Sequence, residues 1–145
     1  MLKTIISSAF IFFTLSGNAQ PAEDCTNMAN RWSDVFTNAP ALETMTGLFL
    51  PNALFFGTVS KELGTTTTDV VAYFTPVFAR KFRSKNSIKS QRVIQIADGV
   101  WVIAGLYDFT GGGPLTDALA RFHFVVVREG NHCKIAAFNS SRVPN

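Results

Sequence analysis

Cys133-Lys-Ile-Ala-Ala-Phe-Asn-Ser-Ser-Arg-Val-Pro144 is the stretch on which the reading of this chain turns. An apolar run gives way there to small polar residues and a proline. Working outward, Glu129-Gly130-Asn131 separates it from Leu119 to Arg128, and Asp98-Gly99 separates Val100 to Phe109 from Ser87 to Ala97. Both separators are strong turn chemistry, so tight hairpins are expected at each. Gly111-Gly-Gly-Pro114 makes the looser connection between the two pairs. Four strands, Ser87 to Ala97, Val100 to Phe109, Leu119 to Arg128 and His132 to Asn139, therefore form an antiparallel meander.

The half before the meander is helical. Asp24 can cap a helix in which Cys25, Met28, Trp32, Val35 and Phe36 recur at three- and four-residue spacing, and Pro40 would stop it. Leu42, Met45 and Gly47 suggest one further short helical piece, and Ala53 to Phe56 reads as a short strand closed by Gly57. From Thr68 a second amphipathic pattern begins, with Val70, Val71, Phe74, Val77, Phe78 and Phe82 on one face. Pro76 is expected to kink this helix or to start a new one capped by Thr75, because an interior proline costs about 3 kcal/mol. Helices first, then a meander, argue an α+β domain with helices on one sheet face.

The first nineteen residues read separately. Lys3, the apolar run Ile5 to Leu15 and Gly17-Asn-Ala19 form a secretory signal peptide, too short to span a membrane. Residues 20–145 are then a single domain, secreted or periplasmic, and loss of Lys3 lowers the formal charge of +3 by one. Arg80, Lys81, Arg83, Lys85, Lys89 and Arg92 fall in one acid-free stretch. With only Phe82 interleaved they match no nucleic-acid motif, and a solvated helix end and loop accounts for them. Cys25 and Cys133 are the only cysteines; an even count in an exported chain favours a Cys25–Cys133 disulfide over two buried thiols. His123 and His132 are too few and scattered for a metal site, and no cofactor motif is present.

Within Leu119 to Arg128, Arg121, His123 and Val125 share one face while Phe122, Phe124 and Val126 share the other. Arg121 and His123 are costly to bury unpaired, so they must reach water, a partner or a ligand. Arg121 is the stronger candidate because its guanidinium forks onto carboxylates or phosphates; the alternative is an ion pair with Asp108 or Asp117. His123 is the weaker one.

Trp32, Tyr73-Phe74, Gly105-Leu106-Tyr107, Ala120-Arg121-Phe122 and Ser140-Ser141 before Pro144 together resemble the nuclear transport factor 2-like superfamily. The branch is the one akin to the association domain of calcium/calmodulin-dependent kinase II. The resemblance implies a cone-shaped, curved antiparallel sheet packed against N-terminal helices, of the cystatin-like type, enclosing one pocket. It also implies that Arg121 lines the pocket beside the positions of Tyr107 and Ser140; Asn139 next to Ser140 and His123 on the Arg121 face complete the ligand-binding candidates. The association domain has arginines where this chain has Tyr107 and Ser140, and exported relatives have three histidines where it has Ala137-Phe138-Asn139. A multi-arginine pocket and a histidine mechanism are therefore not carried over. Enzymes of this fold use a carboxylate base; Asp108 alternates away from Tyr107, and Asp98 and Asp117 sit at turns, so no base is nominated.

These readings converge on an exported, self-associating domain with one pocket for a small, carboxylate-bearing molecule. The rivals are an isomerase or cyclase acting on a hydrophobic carbonyl compound and a purely structural interaction module. If the Arg121 face lines the pocket, Phe122, Phe124 and Val126 would meet water, and such a patch marks an interface for a homodimer or higher oligomer.

Overall fold

Asp24 opens the chain's helical half by accepting the Thr26 amide at 3.0 Å, which starts a 3-10 turn, Cys25–Asn27, leading into α1 (Met28–Asn38). The computed structural model describes residues 21–38, 41–79, 85–111 and 117–144. The segment read as a signal peptide, Pro40, the basic cluster Arg80, Lys81 and Arg83, and most of the glycine-rich connection lie outside them. The short α2 (Leu42–Thr46) ends at Gly47 and leads into β1 (Phe49–Phe56). Thr66 and Asp69 form a reciprocal capping box that starts α3 (Thr67–Phe78). Pro76 neither breaks this helix nor starts a new one. It sits in the last turn, so the only backbone bond it removes is the one that would reach back to the exposed Ala72.

The meander follows as expected: β2 (Lys85–Ala97), β3 (Val100–Thr110), β4 (Ala118–Glu129) and β5 (His132–Arg142), each antiparallel to the next. Gly99 and Gly130 hold φ values of +68° and +61° in the two tight turns, a region open to glycine without steric cost. The sheet order is β1-β5-β4-β3-β2. β1 departs from the all-antiparallel expectation, because it lies parallel to β5, with Phe55 beside Phe138. It is also twice the anticipated length, taking in Pro51, which an edge strand tolerates. Register shifts in β2, at Ile88/Ser90 and Gln95/Ala97, and in β5, where Ala136 is left unpaired opposite Val125/Val126, bend the sheet into a curve.

The concave inner face carries the helices. Phe122, Phe124, Val126, Ile103, Tyr107, Ile135 and Phe138 point inward, against Met28, Trp32 and Phe36 of α1 and Val70 and Phe74 of α3. Trp32 is the hub: its ring centroid lies 5.5–5.7 Å from those of Phe36, Tyr107, Phe124 and Phe138. Phe122, Phe124 and Val126 are thus 3%, 0% and 0% exposed, not the solvent-facing patch expected of them. The reason is simple. Among the described residues only one sheet face is covered by helices, and the three large apolar side chains of β4 belong there.

Cys25 and Cys133 are joined in a disulfide that ties the first helical turn to β5. Glu23 reinforces the join: it accepts the Cys133 amide and the Arg31 guanidinium at 2.8 Å each, and its own amide donates to the Asn131 carbonyl. No helix among the described residues is long and apolar enough to cross a membrane.

Candidate functional site

A change of side-chain size along β4 opens a cavity. Its inward positions run Ala118, Ala120, Phe122, Phe124, Val126, so the first two leave unfilled the volume that the later three occupy. The resulting space is about 240 Å³. Trp32 and Phe36 from α1 and Tyr73, Phe74 and Val77 from α3 wall one side. Tyr107 and Phe109 from β3, Phe138 and Arg142 from β5, and Thr58 and Val59 from the loop after β1 complete it. The volume lies just below the usual range of ligand pockets, roughly 300–1,000 Å³.

The polar part of this wall is a closed triangle of hydroxyls. Thr58 Oγ1 lies 2.7 Å from Ser140 Oγ and 3.1 Å from Tyr107 Oη, and Tyr107 Oη lies 2.9 Å from Ser140 Oγ. Three hydroxyls carry three protons, and these three bonds use them all. Tyr73 stands beside the triangle. Burial pushes its phenol above the ordinary value of 10.0, and the neighbouring Tyr107 adds to the rise, so it remains a neutral hydroxyl near neutral pH. Its ring is seated directly on the backbone of Gly57, where a Cβ would stand 2.2 Å from Tyr73 Cζ.

Of the residues anticipated for the site, Tyr107 and Ser140 come together here. Arg121, His123 and Asn139 do not. They stand exposed on the outer sheet face, His123 opposite Asn139, and Arg121 donates from Nε to Ser141 Oγ at 2.7 Å. Arg121 lies one residue out of phase with Ala120 and Phe122, so a strand that buries those two must turn Arg121 away. Neither suggested ion pair forms: Asp108 meets Lys89 at 2.9 Å, and Asp117 accepts the Gly111 amide at 3.0 Å. The cation that does line the cavity is Arg142. It is exposed, lies opposite Ala120, and has no carboxylate within salt-bridge distance among the described residues. Thr58 and Val59 are further additions; their signal was the Gly57 turn that returns the chain over the sheet edge. Among the described lining residues there is no carboxylate and no imidazole. No cluster of three or more metal-ligating side chains occurs among the described residues.

No protein-family model matches the sequence, and no curated protein does. Solved structures do match. A protein from Xanthomonas campestris named as a calcium/calmodulin dependent protein kinase II association domain superposes with a TM-score of 0.74 at 23% identity, over 82% of this chain and 85% of its own. A Streptomyces avermitilis protein named as a dehydratase from the nuclear transport factor 2-like family gives 0.71 at 14% identity, over 81% and 92%. The fold is that of the nuclear transport factor 2-like proteins. A ketosteroid isomerase-like protein from Erwinia carotovora atroseptica, at a TM-score of 0.68 and 12% identity over 83% and 95%, extends the set. At these identities the nuclear transport factor 2-like likeness is one of fold. The same fold carries names for association, dehydration and isomerisation, so function has to be argued from the cavity.

Proposed function

We propose that the chain is an exported, single-domain binding protein that takes one small, apolar-bodied molecule into the cavity between helices and sheet. The observation that carries this reading is the cavity's composition: aromatic walls, a satisfied hydroxyl triangle and a single unpaired arginine. Such walls bury a ring and orient it with few polar contacts. Export is supported by the Lys3, Ile5 to Leu15 and Gly17-Asn-Ala19 pattern and by the disulfide, which persists in oxidising compartments. An isomerase or dehydratase reading has support from the names of fold relatives alone. Proton transfer at carbon needs a base, and the described walls offer only phenols and hydroxyls.

Self-association belongs to this reading, through the opposite sheet face from the one expected. No described helix covers the outer face, which presents Leu54, Phe56 and Leu119 at 49%, 38% and 40% exposure, with Val102, Leu106 and Val125 between them. A second copy, related by two-fold symmetry, would cover them. Trp32 lines the cavity, so quenching of tryptophan emission on titration with small aromatic compounds tests the binding reading; no saturable change with any would end it. Sedimentation equilibrium at micromolar concentration tests the association. Phe56→Lys should shift the wild-type oligomer to monomer, and a monomeric wild type would refute it.

A further inference from the structure

The cavity has a polarity that selects how a ligand enters. β5 carries Ser140 and Arg142 on the same face, two residues and about 7 Å apart. Ser140 is buried and locked in the hydroxyl triangle, whereas Arg142 is exposed at the cavity's edge. These two positions make opposite demands. The triangle has spent its protons on itself, so it turns lone pairs toward any further group and disfavours an anion. Arg142 offers an unengaged fork of donors with permanent charge, which matches a carboxylate with two parallel bonds. Between them the wall is Trp32, Phe36 and Phe109, in which the buried Trp32 Nε1–H, without a partner among the described residues, is a single neutral donor and no counter-charge.

Resting on the binding reading above, we propose that the ligand is a small aromatic or alicyclic monocarboxylic acid, held carboxylate-outward on Arg142 with its ring against Trp32 and Phe36. Arg121, the sequence's other candidate, plays no part in this, because it stands on the far side of the sheet. The cavity's small volume limits the body to one or two rings, and the lack of a second lining cation among the described residues restricts it to one acid group.

Calorimetric titration of the disulfide-bonded protein with 2-naphthoate and with its uncharged amide separates this proposal from the reading beneath it. The wild type should bind naphthoate more tightly than the amide. Arg142→Met should weaken naphthoate by about 10- to 100-fold, the worth of charge-assisted hydrogen bonds. It should leave the amide within about twofold, and Arg121→Met should change neither. Arg142→Lys, which keeps the charge and loses the fork, should fall between. Unaltered thermal melting of Arg142→Met is expected from an exposed residue without an ion pair, and Arg142→Gln repeats the test if that variant folds poorly. If both probes bind but Arg142→Met affects them equally or not at all, the anchor is refuted and the cavity reading stands. If neither probe binds the wild type, the cavity reading itself fails.

Discussion

Replacing Gly57 by alanine should close the cavity from within. The added Cβ would stand 2.2 Å from Tyr73 Cζ, 2.3 Å from Cε2 and 2.6 Å from the hydroxyl. Comfortable contact between such atoms is about 3.5–4.0 Å, so the ring must retreat by more than ~1 Å. Two directions are blocked, since Phe55 and Phe74 pack on Tyr73 with centroids at 4.9 and 5.1 Å. The open direction is the cavity, whose wall Tyr73 already forms. Overpacking of this kind costs about 1–3 kcal/mol, and the displaced ring takes the volume meant for a ligand. Backbone strain contributes nothing, because Gly57 does not hold a positive φ. Urea unfolding of Gly57→Ala, Tyr73→Leu and the double variant measures the clash directly. Leucine lacks the three offending atoms, so the double variant should be more stable than the sum of the single losses by about 1–3 kcal/mol. Ligand titration should show Gly57→Ala dead and the double variant partly restored. Strict additivity, or a Gly57→Ala variant as stable and competent as wild type, would refute the argument.

Reducing the Cys25–Cys133 bond, or replacing both cysteines by alanine, should lower unfolding free energy by roughly 4–5 kcal/mol on the chain-entropy account, because the bond closes a loop of 108 residues; urea melts with and without reductant check it. Glu23 contributes an acid-sensitive part of the stability. Burial alone would raise its pKa, but bonds from the Cys133 amide, His132 and Arg31 outweigh this and hold it below the ordinary 4.5. With the folded value the lower, the stabilisation is complete above the unfolded value and disappears as pH falls through the folded one. Glu23→Gln should therefore flatten the acid limb of a melting-temperature profile below about pH 5 and leave its shape near pH 7 unchanged.

Much of the fold was legible because its signals are local. Asp98-Gly99 and Glu129-Gly130-Asn131 each force a tight turn, and the helix patterns around Trp32 and Phe74 need only a period to be seen. What stayed hidden was what alternation does not encode. A period of two tells that Arg121 and Phe122 oppose one another, but which side the helices cover depends on tertiary packing, and there the resemblance pointed the wrong way. Arg142 was missed for a related reason. Ser140, Ser141 and Arg142 look like loop residues, yet they continue β5 because Phe122, Arg121 and Ala120 supply a strand to pair with. Pro51 likewise disguised the first half of β1, and nothing in that segment announces that its partner is the parallel β5. Tyr107 and Ser140 were found through the family likeness, but Thr58, which closes their triangle, carries no sequence mark beyond the glycine before it.

The pairing of β1 with β5 bears on the order in which this chain can become a protein. The meander β2 to β5 is built from neighbours and needs only turns, so it can assemble as a unit. β1 and α1 have no such freedom. Their partners, Ile135 and Phe138 for the strand and Cys133 for the first helical turn, belong to β5, the last of the described elements. During synthesis, the leading third of the chain waits with part of its aromatic surface uncovered and the Cys25 thiol unpaired. The thiol finds its partner only when β5 arrives, and Phe138 of that strand completes the cover that Tyr107, Phe109 and Phe124 begin. Any oxidant that joins the two cysteines therefore acts only once β5 has been made, and truncation before Cys133 leaves α1 its packing on β2 to β4 but takes away the strand beside β1.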